Sequence, residues 1–105
     1  MSTGARDTDG WIEKMRVRLT EDYEAQDAHL RHLLADTSDP EEAHTHDALV
    51  AAARQSLEQV TAALARVEAG TYGDCERCGN PILRERLEAL PHARYCVPCL
   101  ERHGN

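Results

Sequence analysis

Cys75 and Cys78, then Cys96 and Cys99, are the only cysteines in the chain and form two Cys-x-x-Cys pairs seventeen residues apart. Each pair lets one backbone turn aim two sulfurs at a common point, and the intervening loop can bring the second turn to face the first. Four thiolates so placed match the tetrahedral coordination of one structural Zn²⁺. Gly79 follows the first pair, where positive φ helps to close such a turn. Two disulfides are the alternative, and they belong to oxidising compartments. A redox-active Cys-x-x-Cys expects a single motif in a βαβ setting, and no strand-rich surroundings are apparent. A catalytic zinc needs an open position that four protein ligands do not leave.

The elements that must position these thiols are helical. The second helix is the clearer one. His46, Val50, Ala53, Leu57, Val60, Leu64 and Val67 recur in steps of four and three, and Gly70 ends the run as a C′ glycine does. Asp39 is placed to cap this helix, Pro40 to open it and Glu42 to complete a capping box. A first stripe runs through Ile12, Met15, Leu19, Tyr23, Gln26, Leu30 and Leu33, with Asp9 as the cap of a helix starting near Trp11. Pairing Leu30 with Val50, Leu19 with Val60 and Ile12 with Val67 keeps the sum of facing positions nearly constant. That is the signature of an antiparallel hairpin reversing near Asp39-Pro40. Between the cysteine pairs, Pro81 and Pro91 bracket a segment expected to be extended and then briefly helical. Ile82, Leu83, Leu87, Ala89 and Leu90, with Tyr95, Val97 and Leu100, offer only a small core, so zinc must supply most of the finger's folding energy, at an apparent ~10–16 kcal/mol.

The expected fold is therefore all-α: a tail at 1–8, an antiparallel coiled-coil hairpin at 9–70 with its tip near 36–43, and a four-cysteine finger at 71–105 ending in a short helix. With 105 residues, no Phe and one Trp, a large core is excluded. The formal charge of −7 argues against general nucleic-acid binding. Residues 1–74 hold seven basic and fifteen acidic side chains, whereas 75–105 hold five and four. The N-terminus has no apolar h-region and no apolar run approaches membrane-spanning length, so a cytoplasmic monomer is expected. No acid, base or nucleophile converges outside the closed metal site, so the chain does not read as an enzyme.

Gly70-Thr71-Tyr72-Gly73-Asp74-Cys75-x-x-Cys78-Gly79, followed by Arg86-Leu87-Glu88-Ala89-x-Pro91-x-Ala93-x-x-Cys96-x-x-Cys99, resembles the DksA/TraR family of C4 zinc-finger proteins. The spacer length and the preceding hairpin fit as well. The resemblance implies a bacterial transcription regulator that binds RNA polymerase directly, without sequence-specific DNA binding. In that family the coiled coil enters the secondary channel and acidic tip residues act near the catalytic centre, while the zinc finger orients the hairpin.

Residues 36–47 contain Asp36, Asp39, Glu41, Glu42 and Asp47 and no Lys or Arg. A solvated, well-capped turn and a charged probe for a basic or metal-containing cleft are both consistent with such a cluster. The family's Asp-x-x-Asp-x-Ala tip maps onto Asp39-Pro40-Glu41-Glu42-Ala43-His44, which keeps the two acids, has His44 where alanine is expected and carries Ala43 one position early. Asp39, Glu42, Ala43 and His44 are the expected polymerase-contacting tip. The second arm reads about one heptad shorter than in long members, reducing reach by about 10 Å. Positions matching the basic residues with which some members bind the alarmone ppGpp are Gln59, Leu90 and Leu100, none of them basic. Two other functions fit the same residues: a zinc-stapled adaptor that binds a partner through its coil, and a thiol redox sensor that releases zinc on oxidation. His29, His32, His44 and His46 are read as surface positions, whereas His92 and His103 lie near the cysteine module, where either could replace a lost thiolate but the four-cysteine set needs neither.

Overall fold

The computed structural model describes residues 10–36 and 40–103. Helix α1 spans Trp11–Ala35 and α2 spans Ala43–Ala69, joined across a short 3-10 turn at Pro40–Glu42. Two short helices follow, α3 at Arg84–Ala89 and α4 at Val97–His103. An isolated antiparallel bridge pairs Asp74 with Pro81. The fold is all-helical, as expected, and elongated at 54 × 31 × 20 Å. Among the described residues no helix is long and apolar enough to cross a membrane. The expected tail at 1–8 and the Asp9 cap lie outside the described residues; the cap position of α1 is Gly10, with no side-chain cap bond.

The two long helices pack along the expected stripes, but the seam is broken in two. Near the tip, Leu30, Leu33 and Ala53 form a buried cluster with Val50 and Leu57 against it. At the base, Met15, Leu19, Val60 and Ala63 are buried with Ile12, Leu64 and Val67 beside them. Between the clusters Tyr23 is 38% exposed, contrary to its place in the stripe. A ring with a polar tip is well served at the seam's edge, where its hydroxyl meets water. Asp22, Gln26, Ser56 and Gln59 fill that level and line one shallow pocket with residues 89–92.

The start of α2 also departs from expectation. Pro40 opens a 3-10 turn and not the α-helix, and Glu42 holds the cap position without a side-chain cap bond. The expected capping box joins Glu42 to Asp39, which lies outside the described residues; the first α-helical residue is Ala43, after the 3-10 turn. The end of α2 behaves as read. Gly70 takes φ 79°, a left-handed conformation that costs glycine nothing. The Arg66 carbonyl then accepts the N–H groups of Thr71 and Tyr72 at 2.9 and 3.1 Å, which turns the chain into the finger.

The finger does not stand on a separate core. Tyr72, Cys75, Ile82, Leu87, Ala93, Cys96 and Cys99 are buried in the same cluster as Trp11, Met15, Leu19, Val60 and Ala63. Hence the buried face of α2 widens at its base, where it meets α1 on one side and the finger on the other. Ala63 is fully buried and Arg66 is 9% exposed, although neither belongs to the seven-residue stripe.

Candidate metal centre

The first cysteine pair sits on a tight turn. The Gly79 N–H donates to the Cys75 carbonyl at 2.9 Å, with Gly79 at φ 80°, and the Cys75 N–H donates to the Asn80 carbonyl at 2.9 Å. This turn exposes two further N–H groups to sulfur: Arg77 donates to Cys75 Sγ and Asn80 to Cys78 Sγ, each at 3.4 Å. The second pair straddles the start of α4. The Glu76 N–H donates to the Arg94 carbonyl at 2.9 Å and so holds the two pairs side by side.

All four sulfurs lie within 4.8 Å of one another, and Cys78 Sγ is 3.6 Å from Cys96 Sγ. Tetrahedral bonds of 2.3 Å would set sulfurs about 3.8 Å apart, so the set fits one zinc with little rearrangement. The thiols are free, and 3.6 Å is far beyond a disulfide bond. Cys75, Cys96 and Cys99 are buried and Cys78 is exposed.

The electrostatics favour a bound cation. Burial pushes the Cys99 thiol up to about 12, reinforced by its hydrogen bonds to the other three thiols. Burial also opposes ionisation of Cys75, but the N–H groups of Cys96, Cys78 and Arg77 outweigh it and bring this thiol down to about 6. Four thiolates this close repel one another, and a divalent cation among them removes the conflict. Arg102 Nη2 donates to Cys99 Sγ at 3.4 Å and offsets part of the same charge.

Side chains from both long helices, Trp11 and Arg18 of α1 and Arg66 of α2, fasten this centre to the hairpin. Arg66, from the last turns of α2, reaches Glu76 Oε2 at 3.2 Å and the carbonyls of His92 and Ala93 at 3.3 and 3.5 Å. Glu76 lies between Cys75 and Cys78 and also accepts two bonds from Arg94, at 2.9 and 3.0 Å. Trp11 Nε1 donates to Glu88 Oε2 of α3 at 2.9 Å, with Arg84 4.6 Å above the indole ring. Within the finger, Tyr72 donates its hydroxyl to the Pro91 carbonyl at 2.9 Å, and burial raises its phenol to about 12. Arg66 was not legible as an anchor, since it lies just off the apolar stripe and reads as a solvated charge. Its one signal is position: three residues after Ala63 and four before the helix-ending Gly70.

The residues read as a polymerase-contacting tip are not part of this centre. Glu42, Ala43 and His44 are exposed at the opposite end of the hairpin, and Asp39 lies outside the described residues. His46 is not simply a surface residue there. It is half-buried, and its Nε2 lies 2.6 Å from the Leu33 carbonyl, bridging the end of α1 to the start of α2. Of the positions aligned with alarmone contacts, Gln59 and Leu90 line the shallow pocket at the break in the seam, where the lining includes Asp22 and neither Lys nor Arg.

Residues 70–103 match the family described as prokaryotic dksA/traR C4-type zinc finger. The chain is similar to the RNA polymerase-binding transcription factor DksA of Caulobacter vibrioides, with 48% identity over 50 residues covering 48% of this chain and 35% of that protein. It spans about a third of the length of the curated relatives it matches. Its fold is similar to transcription factor DksA2 from Pseudomonas aeruginosa, with TM-score 0.59, 26% identity and coverage of 90% of this chain and 78% of that one. It is also similar to the RNA polymerase binding protein and transcriptional regulator Dks from Chlamydia trachomatis, with TM-score 0.59, 27% identity and coverage of 91% and 90%. By sequence and by fold, residues 70–103 are a C4-type zinc finger of the dksA/traR kind, and the helical hairpin that carries it has the architecture of the DksA proteins.

Proposed function

We propose that this protein regulates bacterial transcription by binding RNA polymerase directly, with its hairpin inserted into the secondary channel. The observation that carries this reading is the combination of a DksA-type finger with a DksA-like hairpin over about nine-tenths of the chain. Cys75, Cys78, Cys96 and Cys99 hold one structural zinc, which cross-links the finger and leaves no open coordination position for chemistry. The finger and hairpin base share one core, so the metal also sets the direction in which the rod points.

Function then rests on the tip. Glu41 and Glu42 are exposed beside Ala43 and His44, and residues 36–47 contain no basic side chain other than histidine. With Asp39 adjacent in the sequence, this stretch has the anionic character suited to a basic or metal-bearing cleft. The protein acts as a cytoplasmic monomer on the polymerase, without sequence-specific DNA contacts and without catalysis of its own. The test is direct binding of the zinc-loaded protein, labelled on an exposed position of α1, to purified core polymerase. Binding at micromolar concentration or tighter is expected. Absence of binding would leave the adaptor function, in which the sides of the coil meet another protein, as the better account.

A further inference from the structure

The chain reverses direction between Leu33 and His46, and one carbonyl sits at the centre of that reversal. The Leu33 carbonyl accepts the Asp36 N–H at 3.2 Å, where the chain leaves α1. It also lies 2.6 Å from Nε2 of His46, thirteen residues further on in the first turn of α2. A carbonyl oxygen only accepts, so Nε2 carries the proton and donates it. The other ring nitrogen, Nδ1, is 3.9 Å from Asp47 Oδ1, beyond hydrogen-bond length, and that carboxylate is 82% exposed. The half-buried ring is therefore oriented from its Nε2 side. His46 opens the apolar stripe of α2, where leucine would continue the repeat and pack as well. Packing alone does not call for a histidine here; the bond to a helix-end carbonyl, an acceptor left over by α1, does.

We infer that His46 is the positioning residue of the tip: by donating to the Leu33 carbonyl it locks the first turn of α2 to the last turn of α1 and fixes the direction in which Glu42 and its neighbours leave the rod. The exposed Glu41, Glu42, Ala43 and His44 all lie within the loop that this bond closes. Glu42 gives α2 no side-chain cap bond, and the apolar cluster nearest the tip ends at Leu33 and Val50, so neither a cap at Glu42 nor the seam itself fixes the turn beyond them. A group that acts on a distant cleft has to be held by side chains whose own orientation is locked. The effect on initiation rests on the polymerase reading above, whereas the clamp between the two helices does not.

The test compares zinc-loaded, full-length wild type with His46→Leu and His46→Gln. Leucine keeps the apolar stripe and lacks the donor, whereas the glutamine amide can donate from a similar place. Long-range nitrogen–proton spectra of wild type are expected to show the His46 proton on Nε2. Amide hydrogen exchange at Asp36 and over residues 44–50 is expected to be at least fivefold faster in the Leu variant and within twofold of wild type in the Gln variant. The Leu variant should bind core polymerase within twofold of wild type yet lose at least fivefold of its effect on abortive initiation, and the Gln variant should regain at least half of that effect. A His46 ring without a proton on Nε2 would overturn the proposal. So would a Leu variant that exchanges like wild type, or one that alters initiation as strongly as an active wild type, because a residue that merely fills the seam is replaced by leucine without loss. If wild type itself leaves initiation unchanged while the exchange contrast holds, the polymerase reading fails and the positioning role stands.

Discussion

Arg66 Nη1 lies 3.2 Å from Glu76 Oε2, tying the last turns of α2 to the residue between Cys75 and Cys78. Through this pair the orientation of the rod is coupled to the metal turn. The Arg66 side chain is 11% exposed and also serves the His92 and Ala93 carbonyls, so its loss leaves those two acceptors without this donor and removes a nearly buried side chain from the joint. Arg66→Ala should therefore destabilise the zinc-loaded protein by about 2–4 kcal/mol. Arg94, on the other side of Glu76 and 51% exposed, should cost no more than about 1 kcal/mol when replaced by Ala. Urea denaturation of the two variants checks the contrast, and equal losses would remove Arg66 from its anchoring role.

Zinc binding should be proton-linked with a definite sign. Cys99 stays protonated up to about pH 12 without metal, so binding near neutrality must expel its proton. Cys75, at about 6, is already mostly ionised at pH 7 and contributes little there. Apparent zinc affinity should thus rise with pH from 6 to 8, with at least one proton released per zinc. Titration calorimetry in buffers of different ionisation enthalpy reads the proton count directly. An affinity that fell or stayed flat over this range would contradict the assigned ligand set.

Trp11 closes the base from the other side. Trp11→Phe keeps much of the packing but removes the Nε1–H bond to Glu88, and should cost about 1–2 kcal/mol. Trp11→Ala should cost about 3–5 kcal/mol, because the indole is only 6% exposed in the shared core. Val17→Ala, at a position 46% exposed on the same helix, should change stability by less than about 0.5 kcal/mol. Thermal unfolding of the three zinc-loaded variants tests this order.

Much of this architecture was legible because its signals are periodic or covalently spaced. Two cysteine pairs with a fixed spacer encode a metal centre without help from tertiary structure. The mirrored stripes encode the hairpin, and Gly70 marks its end. What escaped depends on neighbours that no local pattern names. Arg66 is buried only because the finger folds back on it, and Trp11 matters because α3 brings Glu88 to its ring nitrogen. Tyr23 fits the apolar repeat yet sits at the edge, since a phenol gains more from water than from a narrow seam. The capping signals Asp39, Pro40 and Glu42 mark the right place for a helix start, but the chain enters α2 through a 3-10 turn. A reading of cap residues cannot distinguish the two, as both begin with the same dihedral preference at proline.

The most direct test of the central claim compares wild type with the double variant Asp39→Asn, Glu42→Gln. Binding to core polymerase and abortive initiation at a sensitive promoter are measured side by side. The account predicts that both proteins bind with similar affinity, held by the finger and the hairpin, while only wild type changes the yield of abortive product, with the variant's effect reduced about tenfold or more. If the variant alters initiation as strongly as wild type, the acidic tip is not the working part and the secondary-channel mechanism fails.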